Sequence, residues 1–341
     1  MTRPSAGEWM EKWDETPPLI AVENLHVKFR SHERVVHAVN GVDFTLNRGE
    51  VLSIIGESGS GKSVTLRAMM RLLPARAEVG GRILIDRHDV LKLTSRQLED
   101  MRGPVVSMIF QEPAVAFDPV YTVGQQIVEM IVRHESCGRE AAHKRALELF
   151  EMVQIPSPAR RLDAYPHELS GGMRQRAMIA LALSCRPSIL LADEPTTALD
   201  ATVQIQILLL LRSLQRQLGM AVIFVTHDMG VAVEIADRLA VMYAGQFVES
   251  GPTREMVASP KHPYTQGLMA STVRGAERGM PLRAIPGAPP DLSNPPKGCG
   301  FAPRCSFALP ECRQYPPPQV TFPEGRVVRC VLAEQALDPH A

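Results

Sequence analysis

Apolar residues along this chain keep two rhythms. Leu25, Val27 and Phe29 alternate with polar neighbours and fall on one face, the period of a half-buried strand. Four other runs, Val51–Ile55, Val105–Phe110, Ile189–Ala192 and Ala221–Thr226, are nearly continuous in Val, Ile, Leu and Phe, as strands buried on both faces are. Helical patterns separate them, among them Gly61–Leu73 and Gln204–Leu218. Strands alternating with helices predict an α/β fold on a doubly wound, mostly parallel sheet. A long helical insert, about 120–185, interrupts the alternation and includes Glu140–Val153 and Gly172–Leu183; it is expected to form a helical subdomain.

The texture changes near residue 281. Thirteen of the 28 prolines fall in 281–341, and they forbid long helices there. Three parts result: an N-terminal tail at 1–17, a main domain at 18–272 and a small irregular module at 273–341. No internal repeat is visible.

Composition narrows the class. Hydrophobic residues make up 45% of the 341, enough for a sizeable core. Lys+Arg and Asp+Glu both number 37, and this zero balance argues against a nucleic-acid partner. The N-terminus lacks the apolar stretch of a secretory signal, and no window offers the 18 or more apolar residues of a spanning helix. The expectation is a cytoplasmic protein, with any membrane part supplied by a partner. Four of the six cysteines, Cys299, Cys305, Cys312 and Cys330, crowd the C-terminal module. In a reducing compartment such clusters more often bind metal than form disulfides.

The strongest local signal is Gly56-Glu57-Ser58-Gly59-Ser60-Gly61-Lys62-Ser63, followed by Val64. It fits the phosphate-loop pattern and lies between a strand and a helix, the context that confirms it. Its glycines let backbone N–H groups face phosphates, and the helix start adds partial positive charge. Lys62 would reach the β- and γ-phosphates and Ser63 would ligate Mg²⁺. The other apolar strands end in Gln111, in Asp193-Glu194 and in His227. In an open parallel sheet these ends share one edge, where ligands bind. Each alone reads as a satisfied polar residue; together they surround one triphosphate. A second anion-binding helix start, Ser170-Gly171-Gly172, opens the segment that continues to Gln175.

The set GESGSGKS, Gln111, LSGGMRQR, ILLADEPT, Ala198-Leu199-Asp200 and His227, in this order, resembles ABC ATPases over about residues 19–272. The resemblance implies a phosphate-loop NTPase core of RecA type with an N-terminal antiparallel β part. It implies two nucleotide domains paired head to tail, each ATP lying between one phosphate loop and the partner's Ser170, Gly171, Gly172 and Gln175. It further implies Mg²⁺ held by Ser63, Gln111 and, through water, Asp193. Glu194 would polarise the attacking water, His227 would contact the γ-phosphate and Asp200 would line the dimer seam. Phe29 reads equally as an adenine-stacking ring or a core residue.

The segments Lys261-His262-Pro263-Tyr264-Thr265, Ile285-Pro286-Gly287 and Gly298 to Cys305 resemble the tail of ATPase subunits from oligopeptide and dipeptide importers; importers of nickel and other small solutes share it. That resemblance implies a [4Fe–4S] cluster on Cys299, Cys305, Cys312 and Cys330, with Zn²⁺ or plain thiols as alternatives. It also implies two membrane permeases, a second ATPase, a paralogue in the leading reading, and a substrate-binding protein as partners, with this chain peripheral on the inner face of the membrane. A DNA-repair or ribosomal ATPase, and a regulator that binds ATP without hydrolysing it, are the rival readings.

Overall fold

A computed structural model describes residues 17–31, 34–197, 199–271 and 284–335. The expected tail at 1–17, save its last residue, and Ala198 lie outside the described residues.

Two sheets organise the molecule. The main one has eight strands. Its parallel part comprises β3 (Val51–Ile55), β6 (Val106–Ile109), β7 (Ile189–Asp193), β8 (Ala221–Thr226) and β9 (Arg238–Tyr243). At its edge are β10 (Gln246–Pro252), β11 (Gln319–Thr321) and β12 (Val327–Arg329). Their spatial order is β11-β12-β10-β9-β3-β8-β7-β6, parallel from β9 to β6 and antiparallel beyond. A separate antiparallel sheet in the order β2-β1-β4-β5 combines β1 (Ile20–Arg30), β2 (Val35–Leu46), β4 (Ala77–Ile85) and β5 (His88–Asp89).

The apolar runs explain the layering. Side chains alternate across a sheet, so each buried strand feeds two cores. Val51, Ile55, Leu190, Ala192, Val222 and Phe224 face a core shared with the helical subdomain. Leu52, Ile54, Ile189, Leu191, Ala221 and Ile223 face a core shared with the antiparallel sheet and the helix Lys62–Met69. A strand of this kind cannot show polar alternation, because neither face meets water.

The insert contains the helices Val123–His134, Arg139–Met152, Pro158–Leu162 and Gly171–Leu183, all within the 120–185 expected. Local signals set their starts. Thr122 and Gln125 form a capping box, and Ser170 Oγ accepts from the Met173 N–H. The helix expected from Gln204 begins at Ala201, because Asp200 caps it through the N–H groups of Thr202 and Val203. The helix after the phosphate loop ends early, at Met69, and Arg71 turns left-handed with φ 48°.

The C-terminal module joins the main sheet: β12 pairs with β10 at the edge. Behind it Arg326 and Glu249, each 1% exposed, form a buried ion pair. Arg326 also donates to the Ser259 and Glu255 carbonyls, at 2.6 and 3.3 Å, and so ties the strand edge to the helix Thr253–Ala258.

Candidate active site

The phosphate loop turns tightly between β3 and the helix Lys62–Met69. Gly56 and Gly61 have no room for a side chain: a Cβ at Gly56 would stand 2.1 Å from the Met242 carbonyl oxygen, and one at Gly61 2.5 Å from that of Ala38. Gly61 also sits at φ +107°, which an L side chain resists. Lys62 is buried and donates to the carbonyls of Gly56 and Glu57 at 2.7 and 2.9 Å. Burial lowers its pKa, against the pull of Glu194, Asp193 and Glu57. Ser58 and Gly59 are exposed, Ser60 is buried, and Ser63 and Val64 are half-buried.

The strand ends meet here. Ser63 Oγ donates to Asp193 Oδ1 at 2.6 Å across 130 residues of sequence. Asp193 is fully buried, and burial raises its pKa against the Ser63 hydrogen bond and the Arg67 charge. Its Oδ2 has no hydrogen-bond partner, and Arg67 stands 4.0 Å away. Asp193 and Ser63 offer a carboxylate and a hydroxyl, oxygen donors of the kind a hard cation such as Mg²⁺ prefers.

Glu194 is the hub. Its Oε2 accepts from Thr197 Oγ1 at 3.0 Å and Gln111 Nε2 at 3.3 Å, and His227 Nδ1 lies 3.2 Å away. Its backbone is left-handed, φ 46°, a conformation that costs energy for a non-glycine residue and gathers at functional sites. Gln111, Asp193, Glu194, His227 and the phosphate loop, nominated from separate strand ends, are thus one connected group. Thr197 was missed, since a threonine three residues after a glutamate carries no signal of its own. Arg67 was missed too, being one basic residue among many on helices.

Other nominated residues lie apart. Ser170 and Gly171 are exposed at the start of their helix, and Gly172 is so close to Val203 that a Cβ would come within 3.0 Å. Gln175 is buried in the subdomain, unlike Ser170. Asp200 spends a carboxylate oxygen on its helix cap. Phe29 is part-buried, packed against the core beneath the antiparallel sheet.

The expectation for the cysteines is corrected. Cys299, Cys305, Cys312 and Cys330 do line one small apolar pocket with His262, Phe301 and Phe307. Among the described residues, however, no group of three or more His, Cys, Asp or Glu is placed to hold a metal ion, so neither a [4Fe–4S] cluster nor Zn²⁺ is supported. None of the four is in a disulfide. The physical reason is local. Cys299 and Cys305 flank the turn Ala302–Arg304, Cys312 sits in the short helix Glu311–Gln314, and Cys330 follows β12. Burial pushes the Cys299 thiol up to about 11 and raises Cys305 and Cys330 as well. The staple that so small a module needs comes from strand pairing and the Arg326–Glu249 pair.

A phosphate loop, a strand-end carboxylate pair and a histidine, set on a parallel sheet with a helical insert and a flanking antiparallel sheet, define an ATP-binding cassette ATPase. Residues 39–197 match the family described as ABC transporter, and residues 248–312 match the oligopeptide/dipeptide transporter, C-terminal region. The chain is 47% identical over 317 residues to the oligopeptide transport ATP-binding protein OppD of Bacillus subtilis (strain 168), covering 92% of this chain and 88% of that protein. Identity to the dipeptide transport ATP-binding protein DppD of the same organism is 46% over 325 residues, covering 95% and 97%. Among solved structures, the ATP-binding cassette MJ0796, a dimer in a post-hydrolysis state bound to ADP and Pi, aligns with TM-score 0.62 and 30% identity over 69% of this chain and 99% of its own. The chain belongs to the ABC transporter family of ATP-binding proteins, and it is an ATP hydrolase.

Proposed function

We propose that this chain is the ATPase subunit of a peptide importer, working in an ATPase pair beneath two membrane permeases and fed by a substrate-binding protein. The hub at Glu194 carries the ATPase half of this reading. A carboxylate oriented by Thr197, Gln111 and His227, beside a phosphate loop, is equipped to take a proton from an attacking water. Mg²⁺ would be held by Ser63, Asp193 and Gln111 and would neutralise charge on the phosphates. His227, 62% exposed at its side chain, has room to turn toward a γ-phosphate. The solute class rests on the tail match and on the names of the OppD and DppD relatives.

Pairing is supported by the exposed Ser170–Gly171 helix start, which presents an anion site to a second chain, and by the dimeric cassette relative. Docking is supported by a groove of about 290 Å³ between the main domain and the helical subdomain. Met70, Met108, Met130 and Met178 line it with Phe110, an adaptable apolar floor rimmed by Arg102 and the Arg133–Glu99 ion pair. Val120 and Tyr121, 68% and 54% exposed, belong to the segment 112–122 that follows Gln111. Among the described residues no helix is long and apolar enough to cross a membrane.

The test is ATP-dependent uptake of labelled di- and oligopeptides by the assembled transporter. Uptake should stop with Lys62→Ala. Peptide uptake indifferent to this subunit, with uptake of another solute lost, would overturn the peptide reading and leave the ATPase reading standing.

A further inference from the structure

The three tail segments that gave the chain its importer character have no role in the site described above. The structure brings two of them to one residue, Glu57, the second of the phosphate loop, and the third, Ile285-Pro286-Gly287, to the arginine that holds it. Its carboxylate accepts from Arg304 Nη1 at 2.8 Å. Its N–H donates to the Tyr264 hydroxyl at 3.0 Å. Its carbonyl accepts from Lys62 Nζ at 2.9 Å. Every polar group of Glu57 is therefore spoken for, two by the C-terminal region and one by the phosphate-binding lysine.

The seat of Arg304 is built. Its side chain is 6% exposed. Nε donates to the Pro286 carbonyl at 2.7 Å, and Nη2 to that of Ile285 at 3.3 Å. Nη1 also donates to the Tyr243 hydroxyl at 3.2 Å, and the guanidinium lies 5.8 Å from the ring centres of both Tyr243 and Phe301. Gly287 turns at φ +76°, leaving a Cβ there 3.3 Å from Arg304 Cγ. Tyr264 is fully buried, edge-on to Tyr243 at 4.6 Å, and Phe301 packs on both rings. A packed aromatic cluster thus fixes a cation and a hydroxyl against one turn of the loop.

Glu57 by itself is a liability. A carboxylate at the rim of a triphosphate site repels the ligand unless a cation answers it. Held by Arg304 it is answered and kept in one rotamer, and its carbonyl stays on Lys62.

We propose that the C-terminal module, through Arg304, and the neighbouring helix Pro263–Ala270, through Tyr264, together clamp the phosphate loop and set ATP affinity, both residues being positioning residues that act through Glu57. This rests on the reading that Gly56–Ser63 holds the phosphates.

The test is equilibrium binding of ATP to the full-length chain. Arg304→Ala should raise the ATP Kd about tenfold or more, the effect of losing a charged hydrogen bond. Tyr264→Phe keeps the ring and removes only the acceptor, and should raise Kd about threefold or more. Adding Glu57→Gln to Arg304→Ala should recover most of the loss, because it removes the unanswered carboxylate. A merely structural arginine would not be rescued this way. Lys62→Ala serves as the control for the underlying reading: ATP binding indifferent to it would overturn the phosphate-loop assignment and the clamp with it. Weakened binding in Lys62→Ala beside normal binding in Tyr264→Phe and Arg304→Ala would overturn the clamp alone, as would an Arg304→Ala defect that Glu57→Gln leaves untouched. Should Arg304→Ala fail to fold, Tyr264→Phe decides.

Discussion

At the carboxyl edge of the main sheet, Ser63, Gln111, Asp193, Glu194 and His227 arrive from distant parts of the chain and hydrogen-bond one another or lie within reach. In the tail, four cysteines lie within 32 residues and line one pocket, yet assemble no ligand group. The first set is brought together by strand order, which a parallel fold imposes on any sequence that adopts it. The second shares an apolar pocket but owes no common geometry to strand order, and sharing a pocket does not aim the sulfurs at one point. Polar residues that converge through topology are stronger evidence of a site than reactive residues that cluster through sequence.

The largest expected effect tests the first half of this contrast. Glu194→Gln keeps the shape of the hub and removes its basicity. Turnover in the assembled ATPase should fall by about 10²–10⁴ while ATP binding is retained. Turnover at the unsubstituted rate would mean that the connected group does not make the base.

The next tests what holds the tail. Arg326→Met leaves the Glu249 carboxylate, 1% exposed, without its cation. Breaking a buried pair from one side costs about 3–5 kcal/mol, and replacing both partners by apolar residues restores much of it. Limited proteolysis and urea unfolding should show the tail loosened in Arg326→Met and tightened again in Arg326→Met/Glu249→Leu. A single variant as resistant as the unsubstituted chain would place the staple elsewhere.

Cys305→Ser is the matching test for the thiols. Cys305 is only half-buried, so a hydroxyl in its place that lacks a partner costs about 1 kcal/mol. The expected loss is well below that of Arg326→Met, with the tail still protected. Four irons per chain in anaerobically purified protein, bleached by Cys305→Ser, would show that these thiols do hold a cluster.

Much of the fold was legible for a simple reason. Continuous apolar runs with polar terminators mark parallel strands, and the phosphate loop fixes where in the fold they stand. Gln111, Asp193, Glu194 and His227 were nominated from strand ends and Ser63 from the phosphate-loop pattern. What escaped the sequence shares another property: Thr197 on Glu194, Arg326 on Glu249 and Arg304 on Glu57 are single contacts of unremarkable residues. The partners of the last two are 77 and 247 residues away. No periodicity encodes such a pair, and β12 on β10 was hidden because a three-residue strand is too short to alternate.

The smallest effect concerns pH and returns to the tail. His262 caps the helix Pro263–Ala270, its Nδ1 accepting from the Tyr264 N–H at 3.0 Å, so that nitrogen carries no proton. The ring is 1% exposed, and burial drives its pKa down to about 3. In the unfolded chain the ring titrates at about 6.5. The folded pKa is the lower of the two, so the unfolded chain gains a proton that the folded one refuses. The contribution is complete above about pH 6.5 and is lost as pH falls from there toward 3, by at most about 1.4 kcal/mol per pH unit for one proton. The Glu249 carboxylate, ion-paired with Arg326, accepts from the His262 backbone N–H at 2.9 Å. Asparagine also caps helices well and does not titrate. Urea midpoints measured at pH 6 and pH 5 should therefore separate for the unsubstituted chain by about 1 kcal/mol more than for His262→Asn. The same slope in both chains would show that the tail's acid sensitivity does not pass through this ring, and would turn the test to the charged anchors Arg326–Glu249 and Arg304–Glu57.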